Sequence, residues 1–196
     1  IAMSSYLRVD APQKGLALFN DARQRGMEMS VNPYNVAIFS EKERWEEALS
    51  LLDEMQERGI APTVATYIAA IVACEPEWER AVQLLGEIDN PNTNSYNAAM
   101  SACSRAGQWE RAVELLREMH DKGVTPSATS YSAVMNACLK SERHDDVVAL
   151  FNEMPQKGVA PNVIVYEITI EAYKALGQEE KANELFEAME KLAPKK

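Results

Sequence analysis

Apolar and polar positions along this chain describe a pair of helices, and the same pair returns several times. Residues 96–105 carry apolar side chains at helical spacing and stop at Ala106 and Gly107. Residues 109–121 carry a second apolar stripe; Gly123 then supplies the positive φ that commonly ends a helix, and Pro126 prevents its continuation. The pattern predicts a helical hairpin whose two stripes are buried only by packing on a neighbouring hairpin.

The hairpin pattern repeats from one end of the chain to the other without linkers. Residues 93–127 match residues 128–162 at a period of 35, so that Tyr96 falls on Tyr131 and Cys103 on Cys138. The same landmarks divide the chain into a partial unit 1–30 and into units 31–63, 64–92, 93–127, 128–162 and 163–196. Such a series predicts one all-α solenoid domain with six hairpins, twelve helices and no strand.

Two units are shorter than the others, and we expect their helices to be shorter too. Hairpin corners are expected near Ala106-Gly107, Ser141-Glu142 and Leu176-Gly177. Units 31–63 and 64–92 each lack two residues before the second helix, and unit 64–92 lacks four more before its end. We expect a tight turn without glycine at residues 89–92 and a change in the twist of the stack there.

Cysteine and tryptophan each recur once per unit in several units, which invites a functional interpretation. A metal or disulfide cluster is one reading of the cysteines, yet stacked units would hold them about 8–10 Å apart. A disulfide needs Cα atoms about 4.4–6.8 Å apart. We therefore predict a row of small buried side chains, and we favour packing over ligand stacking for the tryptophans. The residues concerned are Cys74, Cys103, Cys138, Trp45, Trp78 and Trp109.

Catalytic and membrane functions have little support in the sequence. The two histidines, His120 and His144, lack a regular serine or cysteine partner, and the chain has no glycine-rich phosphate loop. The longest uncharged apolar run, residues 64–74, is too short to cross a bilayer. We predict a soluble, non-enzymatic protein without cofactor or metal. Because the chain opens inside a unit, we expect the natural N-terminus and any targeting segment to lie upstream.

Residues 95–127, SYNAAMSACSRAGQWERAVELLREMHDKGVTPS, carry a family resemblance. The Tyr-Asn opening, the Ala-x-x-Leu-Leu second helix with its methionine and the Gly-x-x-Pro ending resemble the pentatricopeptide repeat, and the resemblance extends over the whole chain. It implies a right-handed superhelix whose first helices line the concave face. It also implies work in mitochondria or plastids on single-stranded RNA, with each repeat recognising one base through two side chains.

The resemblance assigns base-contacting pairs unevenly. Asn97 with Ser127 and Ser132 with Asn162 resemble pairs that favour cytosine and adenine, respectively. Asn35 with Thr63 resembles a weaker pyrimidine pair. In the remaining units Ile68 offers no hydrogen-bonding group and Glu167 would bring a carboxylate to the strand. Phosphate contacts are implied for three basic residues late in first helices: Arg8, Arg105 and Lys140.

The distribution of charge favours a different partner. The net charge is −10, and residues 31–92 hold 12 acidic against 4 basic residues, which would repel a nucleic acid. An acidic partner-binding surface is one interpretation of Glu41, Glu43, Glu46 and Glu47; a merely solvated face is the other. Two hypotheses remain: a protein-binding scaffold or accessory subunit of a plastid or mitochondrial assembly, or a sequence-specific single-stranded RNA binder. The sequence favours the scaffold, because two good base-contacting pairs give little specificity.

Overall fold

The computed structural model describes residues 12–42 and 44–192, and these residues form eleven α-helices and no strand. The helices are α1 (Pro12–Gln24), α2 (Val31–Ser40), α3 (Trp45–Glu57), α4 (Val64–Ala73), α5 (Trp78–Gly86), α6 (Thr93–Arg105), α7 (Trp109–Asp121), α8 (Ala128–Lys140), α9 (His144–Glu153), α10 (Val163–Ala175) and α11 (Glu179–Leu192). A short 3-10 helix, Met154–Lys157, follows α9. The predicted all-α repeat is confirmed, and the predicted first helix of unit 1–30 lies outside the described residues.

The hairpin corners fall where the sequence predicts them. Gly107 and Gly177 both have φ of +70°, and Glu142 occupies the same place in its unit with φ of 57°. Glycine adopts this left-handed conformation at no steric cost, whereas glutamate does not. The chain therefore reverses between the two helices of a unit through one left-handed residue.

Three of the four helices in the two short units are short, as predicted, whereas α3 has 13 residues, as many as α7. The first helices α2 and α4 contain 10 residues each, whereas α6, α8 and α10 contain 13. The second helix α5 has 9 residues against 13 in α7. No residue from 87 to 92 has a positive φ, so this turn does close without a left-handed glycine.

The chain falls into two compact units, Ile1–Ala102 and Cys103–Lys196. In the first unit α2 packs against α1, α3 and α4; in the second, α8 packs against α7, α9 and α10. A first helix thus contacts its own second helix and both neighbouring hairpins. The tyrosine that opens the first helix is fully buried in three repeats, as Tyr34, Tyr96 and Tyr131, and half-buried in two, as Tyr67 and Tyr166.

The three cysteines are small buried residues, as predicted. Cys74, Cys103 and Cys138 are buried and free of disulfides. Removal from water disfavours the thiolate, and this desolvation raises the pKa of both Cys74 and Cys138 to about 11. Within the described ranges no helix is long and apolar enough to span a membrane.

Candidate nucleic-acid interface

In units 31–63, 93–127 and 128–162, the residue that follows the terminal proline caps the next first helix. Thr63 and Ser127 form capping boxes with Thr66 and Ser130, whose backbone N–H groups donate to the capping hydroxyls over 3.4 and 3.3 Å. Asn162 Oδ1 accepts from the backbone N–H of Val165 over 3.0 Å. The apolar pattern does not reveal these caps, although a threonine, serine or asparagine directly before a helix is their usual signal.

Capping leaves these side chains with different hydrogen-bonding capacity. The hydroxyls of Thr63 and Ser127 each also lie within hydrogen-bond distance of a second hydroxyl in their capping box, at 3.1 and 3.2 Å. Asn162 uses only its oxygen for the cap, so its amide NH₂ group retains two donors. Among the three capping candidates, Asn162 therefore keeps the most capacity to bind a base.

The partner positions in the second turn of each first helix are less accessible. Ser132 is only 7% exposed, and its hydroxyl donates to the carbonyl oxygen of Thr129 over 3.0 Å. Asn35 and Asn97 are half-buried. The Oδ1 of Asn35 is buried and accepts no hydrogen bond from the described residues. Ser132 thus already uses its donor within the protein.

The structure brings two of the predicted pairs onto adjacent helices. Ser132 lies on α8 and Asn162 caps α10, and these helices pack together in the second compact unit. Asn35 on α2 and Thr63 before α4 are arranged alike in the first unit. Asn97 and Ser127 belong to one repeat but lie in different compact units.

The predicted phosphate-binding cations lie at the ends of first helices. Arg105 and Lys140 are the last residues of α6 and α8, and both are exposed. The Nζ of Lys140 donates to the carbonyl oxygen of Ser104 over 3.4 Å. A cation there stabilises the negative end of the helix dipole, which gives these residues a structural role as well. Arg8 lies outside the described residues.

Among the candidate acidic residues, Glu41 is buried, whereas Glu46 and Glu47 are exposed. Glu41 is 7% exposed and accepts two hydrogen bonds from the guanidinium of Arg44, at 2.8 and 2.9 Å. This bonding raises the pKa of Arg44, and it removes Glu41 from the candidate partner surface. Glu47 is exposed and also pairs with Arg44, at 3.4 Å. Glu46 is exposed, and Glu43 lies outside the described residues.

The tryptophans begin second helices and are half-buried. Trp45, Trp78 and Trp109 are the first residues of α3, α5 and α7. The guanidinium of Arg143 lies 4.6 Å from the ring centroid of Trp109, a cation–π contact within the chain. The contact supports the packing interpretation for Trp109.

Comparison with known proteins identifies the repeat. A model of the PPR repeat family matches residues 34–74, 91–140 and 127–175, and a PPR repeat model matches residues 164–192. The chain belongs to the pentatricopeptide repeat family. Its hairpins are pentatricopeptide repeats, and its fold is the all-α solenoid of that family. No curated protein sequence matches the chain significantly.

Several solved pentatricopeptide repeat structures share this fold. Maize PPR10 is 26% identical with a TM-score of 0.71, over 92% of this chain and 27% of PPR10. PPR10 in complex with an 18-nt psaJ RNA element is 22% identical with a TM-score of 0.71, over 94% and 33%. The PPR domain of Arabidopsis thaliana PRORP1 in complex with tRNA is 18% identical with a TM-score of 0.68, over 83% and 90%. The chain thus spans about a third of PPR10 or less.

Proposed function

We propose that this pentatricopeptide repeat chain is a non-catalytic module that binds single-stranded RNA. The observation that carries the proposal is Asn162, which caps α10 through its oxygen and keeps its NH₂ group for a ligand. Two further findings favour RNA over the protein scaffold that the sequence suggested. Glu41 is turned into the chain and paired with Arg44, and structures of the same fold contain RNA: PPR10 a psaJ element and the PRORP1 domain tRNA.

Ser132 and Asn162 offer complementary groups to one base. The hydroxyl of Ser132 donates to Thr129, so its oxygen lone pairs remain to accept a hydrogen bond. Asn162 supplies the donors. Adenine presents an amino donor beside a ring-nitrogen acceptor, so we expect this pair to favour adenine. A well-matched bidentate contact contributes about 1–3 kcal/mol of discrimination.

The exposed cations at the ends of first helices would bind the RNA backbone. Arg105 and Lys140 end α6 and α8, and Lys174 lies in the last turn of α10. Phosphate contacts from such residues provide affinity without sequence preference, and they make binding dependent on salt. Base preference and backbone affinity thus come from different residues and can be measured separately.

Asn162→Asp tests the base contact without removing the cap. Aspartate caps a helix about as well as asparagine, but it replaces the two amide donors with an acceptor. We expect the variant to keep its stability and to lose its preference for adenine at one position of an RNA. The control Asn162→Ala should lose both the preference and about 1 kcal/mol of unfolding free energy.

A protein scaffold remains the second candidate, because residues 31–92 carry 12 acidic and 4 basic residues. RNA binding no tighter than the roughly 10⁻⁴–10⁻⁶ M of non-specific complexes at about 0.15 M salt would favour this candidate. Unchanged base preference in Asn162→Asp would likewise count against the RNA proposal.

We also propose a plastid or a mitochondrion as the compartment, since the family typically works there. The fold does not fix the compartment: a neighbour with a TM-score of 0.71, Arabidopsis PRORP2, is named as nuclear. Imaging the full-length protein with a C-terminal fluorescent tag would test the assignment, and a cytosolic or nuclear signal would overturn it.

A further inference from the structure

A carboxylate at the end of α3 joins two hairpins through a fully paired polar cluster. Glu54 accepts a hydrogen bond from the hydroxyl of Tyr34 over 3.0 Å. It pairs with Arg23 of the preceding hairpin at 2.6 Å and with Arg58, four residues later, at 2.9 Å. One carboxylate therefore faces two guanidinium groups, and all partners lie in the first compact unit. We call this arrangement the Glu54 cluster.

The second unit contains an equivalent cluster, but it is incomplete. Glu153 takes the place of Glu54 and accepts a hydrogen bond from Tyr131 over 3.0 Å. His120 takes the place of Arg23, and its Nε2 lies 3.9 Å from the Glu153 carboxylate. That distance is too long for a hydrogen bond. The Nε2 atom is buried and has no hydrogen-bond partner among the described residues.

Pro155 explains why Lys157, the equivalent of Arg58, does not pair with Glu153. Arg58 and Lys122 pair with the acid four residues earlier, because both sit at the end of a continuous α-helix. The equivalent Lys157 follows Pro155, which lacks an N–H group, and residues Met154–Lys157 form a 3-10 helix. Within the described part of the chain, Lys157 forms no ion pair with Glu153.

His120 and Lys157 both line a cavity of about 220 Å³. Its wall is formed by His120, Gly123, Val124, Thr125, Pro126 and Lys157. Lys157 contributes an ammonium group, and the His120 ring forms part of the wall. A charged donor such as the ammonium group forms short, strong hydrogen bonds with oxyanions. Glu153 opposes an anion, but it does not line the cavity, and it already accepts from Tyr131.

We propose that this cavity binds an oxyanion, namely the RNA phosphate beside the base at Ser127. The proposal rests on the RNA-binding function, because Thr125 and Pro126 in the cavity wall lead directly to Ser127 at the start of α8. Lys157 binds the phosphate through its ammonium group, and the His120 ring lies in the wall beside it. The Glu54 cluster differs at both equivalent positions, where Arg23 and Arg58 are paired with the carboxylate.

Binding of RNA at several salt concentrations tests the site with a matched control. Lys157→Ala should lower affinity for all sequences alike and reduce the slope of log affinity against log salt by about one unit. Lys122→Ala is the control, because Lys122 occupies the equivalent position but pairs with Glu118 at 2.7 Å. We expect this variant to keep the full slope. Equal slopes for the two variants would overturn the proposal.

Pro155→Ala tests the geometry without removing a charge. The substitution restores the N–H group and lets α9 continue, which returns Lys157 to the face of Glu153. We expect the variant to unfold at the same or a higher denaturant concentration and yet to lose the same part of the salt slope as Lys157→Ala. A full slope in this variant would show that the 3-10 helix does not create the site.

Inorganic phosphate separates this site from the RNA proposal. The chain has two histidines, so NMR signals of the His120 ring can be followed while those of His144 serve as an internal reference. We expect phosphate to shift the His120 signals in the wild type and not in Lys157→Ala. Phosphate binding without RNA binding would retain the anion site and defeat the RNA function. RNA binding that is insensitive to both His120→Ala and Lys157→Ala would defeat this site alone.

Discussion

Glu142 has a left-handed backbone conformation, and glycine occupies the equivalent position in the neighbouring repeats. The corner between α8 and α9 places Glu142 at φ of 57°, where Gly107 and Gly177 stand in the neighbouring repeats. A side chain in this region crowds its own carbonyl group, at a cost of about 1–2 kcal/mol. The repeat pattern thus identifies a strained position that no contact in the structure would reveal.

Glu142→Gly should therefore raise the free energy of unfolding by about 1 kcal/mol. Chemical denaturation measures this change. Gly107→Ala is the control and should lower it by about 1 kcal/mol. A Cβ at Gly107 would meet nothing within 4 Å. The lower stability of this variant would therefore come from backbone strain alone. A destabilised Glu142→Gly variant would instead show that the glutamate side chain contributes more than the strain costs.

The buried thiols give a second prediction at this scale. Desolvation raises the pKa of Cys74 and Cys138 to about 11 from a usual value of 9.0. The folded state thus favours the neutral thiol; its contribution is complete below about pH 9 and is lost as the pH rises toward 11. Thiolate absorbance in the ultraviolet should develop near pH 11 in the native protein and near pH 9 in denaturant. A native transition near pH 9 would contradict burial.

At the scale of helices, the sequence predicts ends well where a residue type marks them. The sequence predicts a helix over residues 109–121, and α7 spans Trp109–Asp121, because a tryptophan and a following glycine mark its two ends. The apolar pattern of α6 starts at Tyr96, yet the helix starts at Thr93. The cap explains the difference: Asn92 Oδ1 accepts from the backbone N–H of Ser95, and the apolar pattern does not contain this polar contact.

The sequence could not predict which side chains of the candidate site are buried or already hydrogen-bonded within the protein. Positions for base contacts followed from the resemblance, but the bond from Ser132 to Thr129 and the burial of Glu41 depend on rotamers and neighbouring helices. Glu41 follows α2 directly at a shortened corner, where it can turn inward and pair with Arg44. A count of charges along the chain treats it as exposed. Burial and pairing follow only from the folded corner.

Helix capping predicts that Ser127 contributes to stability, apart from its proposed contact with a base. Ser127→Ala should lower the free energy of unfolding by about 1 kcal/mol, because it leaves the first turn of α8 without its cap. Ser127→Asp keeps an acceptor and should change it little. Thr129→Ala, at a neighbouring exposed position, is the control. Equal stability of the alanine and aspartate variants, measured by denaturation, would argue against the capping box.

For the molecule as a whole, the net negative charge opposes binding of the proposed ligand, RNA. Residues 31–92 hold most of the net charge of −10, while the basic residues at helix ends are spread along the chain. A long-range negative field slows the approach of RNA and does so most at low salt. The acidic segment would then act as a selective barrier, so that weak, non-specific RNA contacts form less readily than well-matched ones.

Neutralising exposed acids should consequently increase RNA association. Glu46, Glu57 and Glu79 are exposed on α3 and α5, and none is assigned to a base contact. We expect the triple variant with glutamine at these positions to associate with RNA several-fold faster at low salt. The difference should vanish near 1 M salt, where the Debye length is about 3 Å, and base preference should stay unchanged. Stopped-flow fluorescence with a labelled RNA measures both. If RNA association does not change while binding to a basic protein weakens, the acidic segment is a protein-binding surface and the scaffold hypothesis is the better one.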